Sequence, residues 1–273
     1  MTDREQGSLS KEAVRERVWD DLEDSGVARF PFPPHGRIPN FENAAAAAAR
    51  LADQPEWRAA TTIKANPDAP QLPVRRRALR DGKTVYMAVP RLRDEKCFLK
   101  LDPDELEDYD AATTVSGSAD HGEQVGPAAV DEIDLIVSGS VAVCVDPTPV
   151  STDDDSGSVD GGRIGKGEGY SDLEFAILTE LELVDEETPV ATTVHERQLL
   201  AGDDAAAISF DEHDVPMDLI VTPERVRRPA GQEGENESEN GTRAERPDGI
   251  DWSLLSAERR EAMPVLDRLA EQR

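Results

Sequence analysis

Residues 161–174 constrain the fold of this chain more than any other stretch. They read Gly-Gly-Arg-Ile-Gly-Lys-Gly-Glu-Gly-Tyr-Ser-Asp-Leu-Glu. An apolar run at 133–145, typical of strands, precedes them, and the stretch 173–183 predicts a helix. Glycine adopts positive φ at little steric cost, so the alternating glycines permit a tight turn between the two elements. A strand, a glycine-rich turn and a helix in succession predict one unit of an α/β fold.

The same loop carries groups that suit a phosphate. Backbone amides of closely spaced glycines can converge on an anion, and the N-terminus of the following helix adds partial positive charge. Arg163 and Lys166 add full positive charges, and Asp172 offers a hard oxygen ligand of the kind Mg²⁺ prefers. The spacing matches neither a Walker loop nor a Gly-x-Gly-x-x-Gly fingerprint. Spacing alone therefore leaves two interpretations, a phosphate cradle and a solvent-exposed glycine loop.

The loop resembles the Gly-x-Arg-Leu-Gly-x-Gly-x-Gly-Tyr-Tyr-Asp signature of the 5-formyltetrahydrofolate cyclo-ligase (methenyltetrahydrofolate synthetase) family. Other segments are similar to its divergent branch, the methenyltetrahydrofolate synthase domain-containing proteins. They are Ala28-Arg-Phe-Pro-Phe-Pro, Gly36-Arg-Ile-Pro-Asn-Phe, Asn66-Pro-Asp, Pro90-Arg-Leu-Arg, Ser138-Gly-Ser-Val-Ala-Val and Gly249-Ile-Asp-Trp. The resemblance, over residues 10–270, implies a Rossmann-like three-layer α/β/α sandwich with a largely parallel sheet. The alternation of predicted strands and helices points to the same fold class.

The resemblance also implies an activity, the ATP- and Mg²⁺-dependent conversion of 5-formyltetrahydrofolate to 5,10-methenyltetrahydrofolate through a phosphorylated formyl intermediate. Arg163 and Lys166 would be the catalytic cations. Lys11 and Arg15 match a family Lys-x-x-x-Arg that reaches ATP phosphates, and they lie one turn apart in a helix predicted at 11–24. The residues expected to bind ATP are Lys11, Arg15, Arg163, Gly165, Lys166, Gly167, Gly169 and Tyr170.

Substrate and metal residues follow from the same resemblance. Asp68 falls where ordinary cyclo-ligases carry the first Glu of a folate-contacting segment, and Tyr170 would line the folate side. Asp172 and Asp214 would hold Mg²⁺, the second within a segment at 211–222 that is similar to the end of the family domain. Without the resemblance, the aspartates around Asp214 are one more acidic patch.

Three departures from the family pattern keep an alternative open. Ala-Pro-Gln follows Asp68 in place of the acidic segment, Ser171 replaces the second loop tyrosine, and Glu168 stands where a basic residue is frequent. The alternative is a catalytically diverged nucleotide-binding or regulatory protein on the same fold. A ligase acting on another formylated pterin is a third hypothesis. His195, after a strand predicted at 190–194, is either a base or, as is commoner for a histidine without a partner, structural.

Charge limits the classes of partner. The formal net charge is −28, with 58 acidic and 30 basic residues, and lysine is scarce. Such a surface predicts a halophile-type protein, because high salt screens its self-repulsion. It argues against a nucleic-acid face, which needs clustered Lys and Arg. No signal peptide, membrane span or Cys/His metal spacing is evident, so we expect a cytoplasmic monomer that binds a reduced folate and no membrane.

Composition also divides the chain. We expect a disordered N-terminus at 1–9, a cyclo-ligase-like domain at 10–228 with an acidic insert at 148–160, a flexible acidic linker at 229–248 and a docked helical tail at 249–273. Animal members of the resembled branch carry an RNA-recognition domain further on, and the tail lacks its aromatic motifs. The remaining predicted strands are 60–64, 85–89, 133–137 and 141–145, and the remaining helices are 41–51 and 74–80. The stretches 102–110 and 115–123 predict surface loops with room for one short helix.

Overall fold

A computed structural model describes residues 9–147, 159–229 and 246–271. Most of the predicted disordered N-terminus, acidic insert and linker lies outside these residues. The helices are α1 Lys11–Asp24, α2 Ala44–Ala52, α3 Pro55–Ala59, α4 Leu72–Arg80, α5 Tyr109–Ala112, α6 Ser118–His121, α7 Tyr170–Glu180, α8 Asp203–Ala206, α9 Ala257–Glu261 and α10 Pro264–Glu271. The strands are β1 Ala28–Arg29, β2 Asn40–Phe41, β3 Thr62–Ala65, β4 Thr84–Ala88, β5 Phe98–Leu101, β6 Glu123–Val125, β7 Leu135–Val137, β8 Ala142–Pro147, β9 Arg163–Ile164, β10 Val190–Thr193, β11 Leu199–Gly202, β12 Leu219–Val221 and β13 Val226–Arg227.

An eight-stranded sheet, in the order β13-β12-β10-β7-β3-β4-β5-β6, forms the middle layer. The run from β12 to β4 is parallel, and the pairs at both edges are antiparallel. The inner parallel strands β3, β7, β10 and β12 are buried at every residue because both faces of the sheet are covered. The α2 and α4 helices pack on one face, and α7 and α10 pack on the other. This arrangement confirms the predicted α/β class with a largely parallel sheet between helical layers.

A second, three-stranded sheet, β11-β8-β9, packs with α1 and carries the start of the glycine loop. Its middle strand, β8, follows β7 of the main sheet after a short connection, so the two sheets share one stretch of chain. Arg163 lies in the edge strand β9, whose residues are paired antiparallel with β8. The loop that follows β9 is thereby held beside the carboxyl ends of the main parallel strands.

Several predicted boundaries are wrong for local reasons. The alanine-rich helix begins at Ala44 behind Asn43, whose φ of 62° is left-handed, and Asn40 and Phe41 form β2 instead. The helix after the glycine loop begins at Tyr170, three residues before the predicted start, because Gly169 with φ 66° turns the chain directly into it. The predicted surface loops at 102–110 and 115–123, for which one short helix was expected, overlap two one-turn helices, α5 and α6. Strand β5 lies outside the strands that the sequence predicted.

The C-terminal segment packs on α7. Ile250, Leu255, Met263 and Leu266 are all buried, at 0 to 8 % exposure, in the cluster that contains Phe175. Helix α9, which lies between Leu255 and Met263, is therefore anchored at both ends.

Candidate functional site

A cleft of about 280 Å³ opens where β3, β4 and β7 end and the glycine loop crosses. Ligands of parallel α/β sheets bind at this end of the strands. One wall consists of the residues that follow these strands. They are Asn66, Pro67 and Asp68 after β3, then Val89, Pro90 and Arg91 after β4, and Gly139 after β7. The opposite wall consists of Arg163, Gly165, Lys166, Glu168, Gly169, Tyr170, Ser171, Asp172 and Glu174. The structure therefore brings predicted phosphate-binding and folate-binding residues to one cavity.

Arg163 and Asp172, predicted to bind phosphate and metal, bind each other. The buried Arg163 guanidinium donates to the two carboxylate oxygens of Asp172 at 2.7 and 2.6 Å and to the carbonyl of Gly139 at 2.9 Å. The amide of Val215 donates to the same carboxylate at 3.2 Å. Burial acts to raise the pKa of Asp172, but the charge and hydrogen bonds of Arg163 outweigh it and the pKa is lowered. The pair ties β9, β7 and the first turn of α7 together.

Two glycines of the loop have conformations that other residues rarely adopt. Gly167 has φ 102° and Gly169 has φ 66°. A Cβ added to Gly167 would lie 3.3 Å from the guanidinium of Arg15, so this α1 cation packs directly against the loop. Arg15, predicted to bind ATP phosphates, thus lies against the glycine loop and is not among the residues that line the cleft.

Lys166 and Asp68 face the cleft from opposite walls. Lys166 pairs with Glu168 at 2.8 Å. Burial acts to lower its pKa, but the hydrogen bond with Glu168 and the charge of Asp68 raise it, so it stays a cation. Burial raises the pKa of Asp68, against the opposing charges of Lys166 and Arg75. The cleft thus holds a cation and a carboxyl group of raised proton affinity.

Lys11 and Asp214 are also paired with each other, outside the residues that line the cleft. The Lys11 ammonium contacts the Asp214 carboxylate, lies 3.7 Å from Asp211 and 5.0 Å from the centre of the Phe210 ring. Ligand atoms of Asp211, His213 and Asp214 lie within 4.8 Å of one another. Asp172 is joined to this region through the Val215 amide but is not a member of that group.

Buried polar residues that the sequence analysis did not single out shape the cleft. Arg75 of α4 donates to the carbonyls of Asn66 at 2.5 Å, Asp68 at 3.1 Å and Thr113 at 3.0 and 3.1 Å. Burial lowers its pKa to about 10, so it remains charged. It fixes the backbone that presents Asp68. Arg75 is the first of three consecutive arginines. Helical periodicity places it on the buried face with Val74 and Leu79, and this pattern could have predicted its burial.

A buried ion pair lies beneath the same wall. The Lys64 ammonium contacts the Glu174 carboxylate, with side chains 2 % and 7 % exposed, and approaches Asn66 Oδ1 at 3.3 Å. Glu174 lines the cleft and Lys64 is in β3, so the pair joins the sheet to α7 at the site. Charged residues stay buried only when paired or hydrogen-bonded, which marks this pair as a built feature of the site.

Comparison with known proteins gives a family. A sequence profile described as the 5-formyltetrahydrofolate cyclo-ligase family matches residues 10–223. The methenyltetrahydrofolate synthase domain-containing protein of Mus musculus is 38% identical over 270 residues, which are 98% of this chain and 65% of that protein. The Homo sapiens protein of the same name is 34% identical over 264 residues, 96% of this chain and 61% of that protein. The chain thus spans less than two thirds of either relative.

A solved structure is also similar. The 5,10-methenyltetrahydrofolate synthetase of Aquifex aeolicus superposes with a TM-score of 0.47 at 18% identity, covering 84% of this chain and 98% of that one. Within the part of the chain that the structure describes, every helix is too short or too polar to cross a lipid bilayer.

Proposed function

The chain belongs to the 5-formyltetrahydrofolate cyclo-ligase family, and we propose that it converts 5-formyltetrahydrofolate to 5,10-methenyltetrahydrofolate with ATP and Mg²⁺. The observation that carries the proposal is the shared cleft. One wall is the glycine loop with Lys166, and the other presents Asp68 at the ends of the parallel strands. A nucleotide phosphate and a pterin placed on these two walls would meet in one cavity, as a transfer between them requires.

The reaction has two steps. The formyl oxygen attacks the γ-phosphorus and ADP leaves, which gives an N5 imidate phosphate. The N10 nitrogen then attacks the imidate carbon, its proton departs and inorganic phosphate leaves, so the carbon bridges both nitrogens. Such chemistry asks the protein mainly to orient the two substrates and to neutralise the phosphates.

Lys166 and the loop amides are the groups we assign to the phosphates. The Lys166 ammonium lines the cleft, and its pairing with Glu168 is the contact that a phosphate would replace. Arg15, packed on Gly167, adds positive potential at the loop. Arg163 holds the loop in place through its ion pair with Asp172. We therefore assign it an indirect effect on nucleotide binding, through the position of the loop, in place of a direct contact with phosphate. We assign Asp68 and the ring of Tyr170 to the pterin side.

The expected metal ligands fit Mg²⁺ unequally. The Asp172 oxygens already bind Arg163, and a metal there would have to displace that guanidinium. Asp214 lies in the group with Asp211 and His213, whose oxygen and nitrogen atoms are close enough to hold a divalent cation once Lys11 moves to a phosphate. We therefore propose Asp214 as the primary Mg²⁺ ligand, with Asp172 as a predicted second one. Bound Mg²⁺ would neutralise charge on the β- and γ-phosphates.

The test is turnover of purified protein in molar KCl with Mg·ATP and 5-formyltetrahydrofolate, followed by the absorbance of the methenyl product. We expect ATP-dependent formation of the product. Lys166→Ala should lower kcat/KM at least 100-fold, because it removes the cation that faces the phosphate. Lys96→Ala, at an exposed lysine outside the loop, is the matched control and should retain wild-type turnover.

A second candidate is nucleotide binding without turnover. It is favoured by the 3₁₀ turn Ala69–Gln71, which replaces the acidic segment of ordinary cyclo-ligases and buries Gln71 completely. Binding of Mg·ATP by calorimetry in a protein that forms no methenyl product would support this candidate over the ligase. Absence of both binding and turnover in folded protein would exclude both.

A further inference from the structure

The C-terminal segment reaches back to the glycine loop through one arginine. Arg259 of α9 donates from Nη2 to the carbonyl of Glu168 at 2.8 Å. Its guanidinium lies 5.3 Å from the centre of the Tyr170 ring, within the range of a cation–π contact. A Cβ added to Gly169, the residue between those two, would lie 3.7 Å from the same Nη2. One side chain thus contacts Glu168 and Tyr170 and lies beside the glycine between them, at the point where the loop becomes α7.

This contact comes from outside the stretch that the family profile matches. The family profile ends at residue 223, and α9 begins at Ala257. A small cavity of about 120 Å³ lies behind the loop, with Arg259, Leu254 and Leu255 of the tail on one side and Gly169 and Asp172 on the other. Gly169 and Asp172 line both this cavity and the cleft, so the end of the loop lies between the cleft and the tail.

Core packing and hydrogen bonds hold the tail segment that carries Arg259. Leu255 before α9 and Met263 after it are 8 % and 1 % exposed, and the tail is further fixed where the amide of Ile250 donates to Glu180 Oε1 at 3.2 Å. The Ser256 hydroxyl accepts the amide of Arg259 at 3.1 Å, capping the helix that carries the arginine. The guanidinium is thus delivered to the loop by an element whose own position is set by core packing.

We propose that Arg259 is a positioning residue for the glycine loop, so that the tail is part of the nucleotide-binding unit. Without this contact, the peptide plane after Glu168 would be free to rotate, and its carbonyl oxygen could face the anion in place of the loop amides. A guanidinium on that carbonyl fixes the peptide plane, and its charge over Tyr170 adds positive potential at the N-terminus of α7. The consequence for ATP rests on the proposed function, whereas the ordering of the loop does not.

The experiment compares wild type with Arg259→Ala, Arg259→Lys and the matched control Arg260→Ala, whose side chain is exposed on the same helix. Hydrogen exchange of the amides at 165–170 is measured by mass spectrometry in molar KCl, and Mg·ATP affinity by calorimetry. We expect Arg259→Ala to exchange at least fivefold faster there and to bind Mg·ATP about tenfold more weakly. KM for ATP should rise by the same factor while kcat changes less than twofold. Arg259→Lys should show smaller changes in loop exchange and in ATP affinity than Arg259→Ala, and Arg260→Ala should show neither change.

Outcomes separate this inference from the proposed function. Loop exchange in Arg259→Ala equal to that of Arg260→Ala would overturn the positioning role. A kcat loss without a KM change would also overturn it, because it would place Arg259 in the chemical step. If wild type binds no Mg·ATP, the proposed function fails, and the exchange comparison alone decides whether Arg259 orders the loop. Arg259 is only half-buried, so its truncation leaves the apolar anchors of the tail in place.

Discussion

Arg163 binds the two carboxylate oxygens of Asp172 at 2.7 and 2.6 Å, across the loop that connects β9 to α7. Their side chains are 4 % and 14 % exposed, so the pair is buried at the base of the cleft. Removing one partner of a buried pair leaves an uncompensated charge, which costs more than the pair itself contributes. The geometry of the phosphate-binding loop therefore depends on an ion pair internal to the protein.

A double-mutant cycle on this pair is the first prediction. Arg163→Ala should lower the free energy of unfolding by about 3 kcal/mol, because Asp172 remains buried and charged. Adding Asp172→Ala should restore about 2 kcal/mol of that loss. Urea unfolding in molar KCl measures each variant. Additive single effects would mean that the two residues stabilise the loop independently.

The pH dependence of stability should have opposite signs at two aspartates. Burial raises the pKa of Asp68, so the folded state binds its proton more tightly than the unfolded state does. The stability that this proton contributes to the fold is therefore lost as the pH rises from about 4 through the folded pKa. Asp68→Asn should therefore gain stability relative to wild type between pH 3 and pH 8, while weakening 5-formyltetrahydrofolate binding.

Asp134 is the control with the reverse sign. Burial acts to raise its pKa, but hydrogen bonds from Thr61 and Thr62 lower it, so it contributes stability above about pH 4 that is lost as the pH falls. Asp134→Asn should lose stability relative to wild type over the same rise in pH. Urea unfolding at each pH measures both variants, and parallel curves for the two would contradict the assignment.

Salt should stabilise the fold mainly at low concentration. With a net charge of −28, self-repulsion dominates when the screening length is long, and that length is already about 3 Å at 1 M salt. The melting temperature should rise steeply with KCl up to about 1 M and then level off. Sucrose at equal osmolality is the control and should give no steep rise. A linear increase well beyond 1 M would indicate salting-out of apolar surface instead.

Local backbone features of the site were predictable from the sequence, and the partner that each polar side chain takes was not. The glycine turn at 165–169 and the strand ends that meet it follow from residue type and alternation, which act over a few positions. Residue type cannot tell whether Arg163 faces a ligand or an aspartate of its own chain. His195 shows the same limit, since its Nδ1 accepts the amide of Arg197 at 3.2 Å and caps a 3₁₀ turn.

The least predictable feature is the contact between Lys64 and Glu174, which are 110 residues apart. Nothing in either neighbourhood specifies the other, and the pairing exists because β3 and α7 are packed together in the folded sheet. Strand Phe98–Leu101 went unrecognised for a similar reason, since its antiparallel pairing with β4 rather than a clear local pattern defines it. Both the Lys64–Glu174 contact and strand β5 therefore depend on tertiary packing.

The last prediction separates stability from substrate binding at that pair. Glu174→Gln should destabilise the protein by about 3 kcal/mol, because Lys64 keeps its charge in a site where its side chain is 2 % exposed. Replacing both residues by apolar ones, Lys64→Met with Glu174→Leu, should bring stability back to within about 1 kcal/mol of wild type.

If Glu174 also presents charge to the cleft it lines, the double variant should still show a KM for 5-formyltetrahydrofolate raised about tenfold, equivalent to about 1.4 kcal/mol. Urea unfolding and steady-state kinetics on the same preparations give both quantities, and a double variant with wild-type KM would restrict the pair to joining β3 to α7.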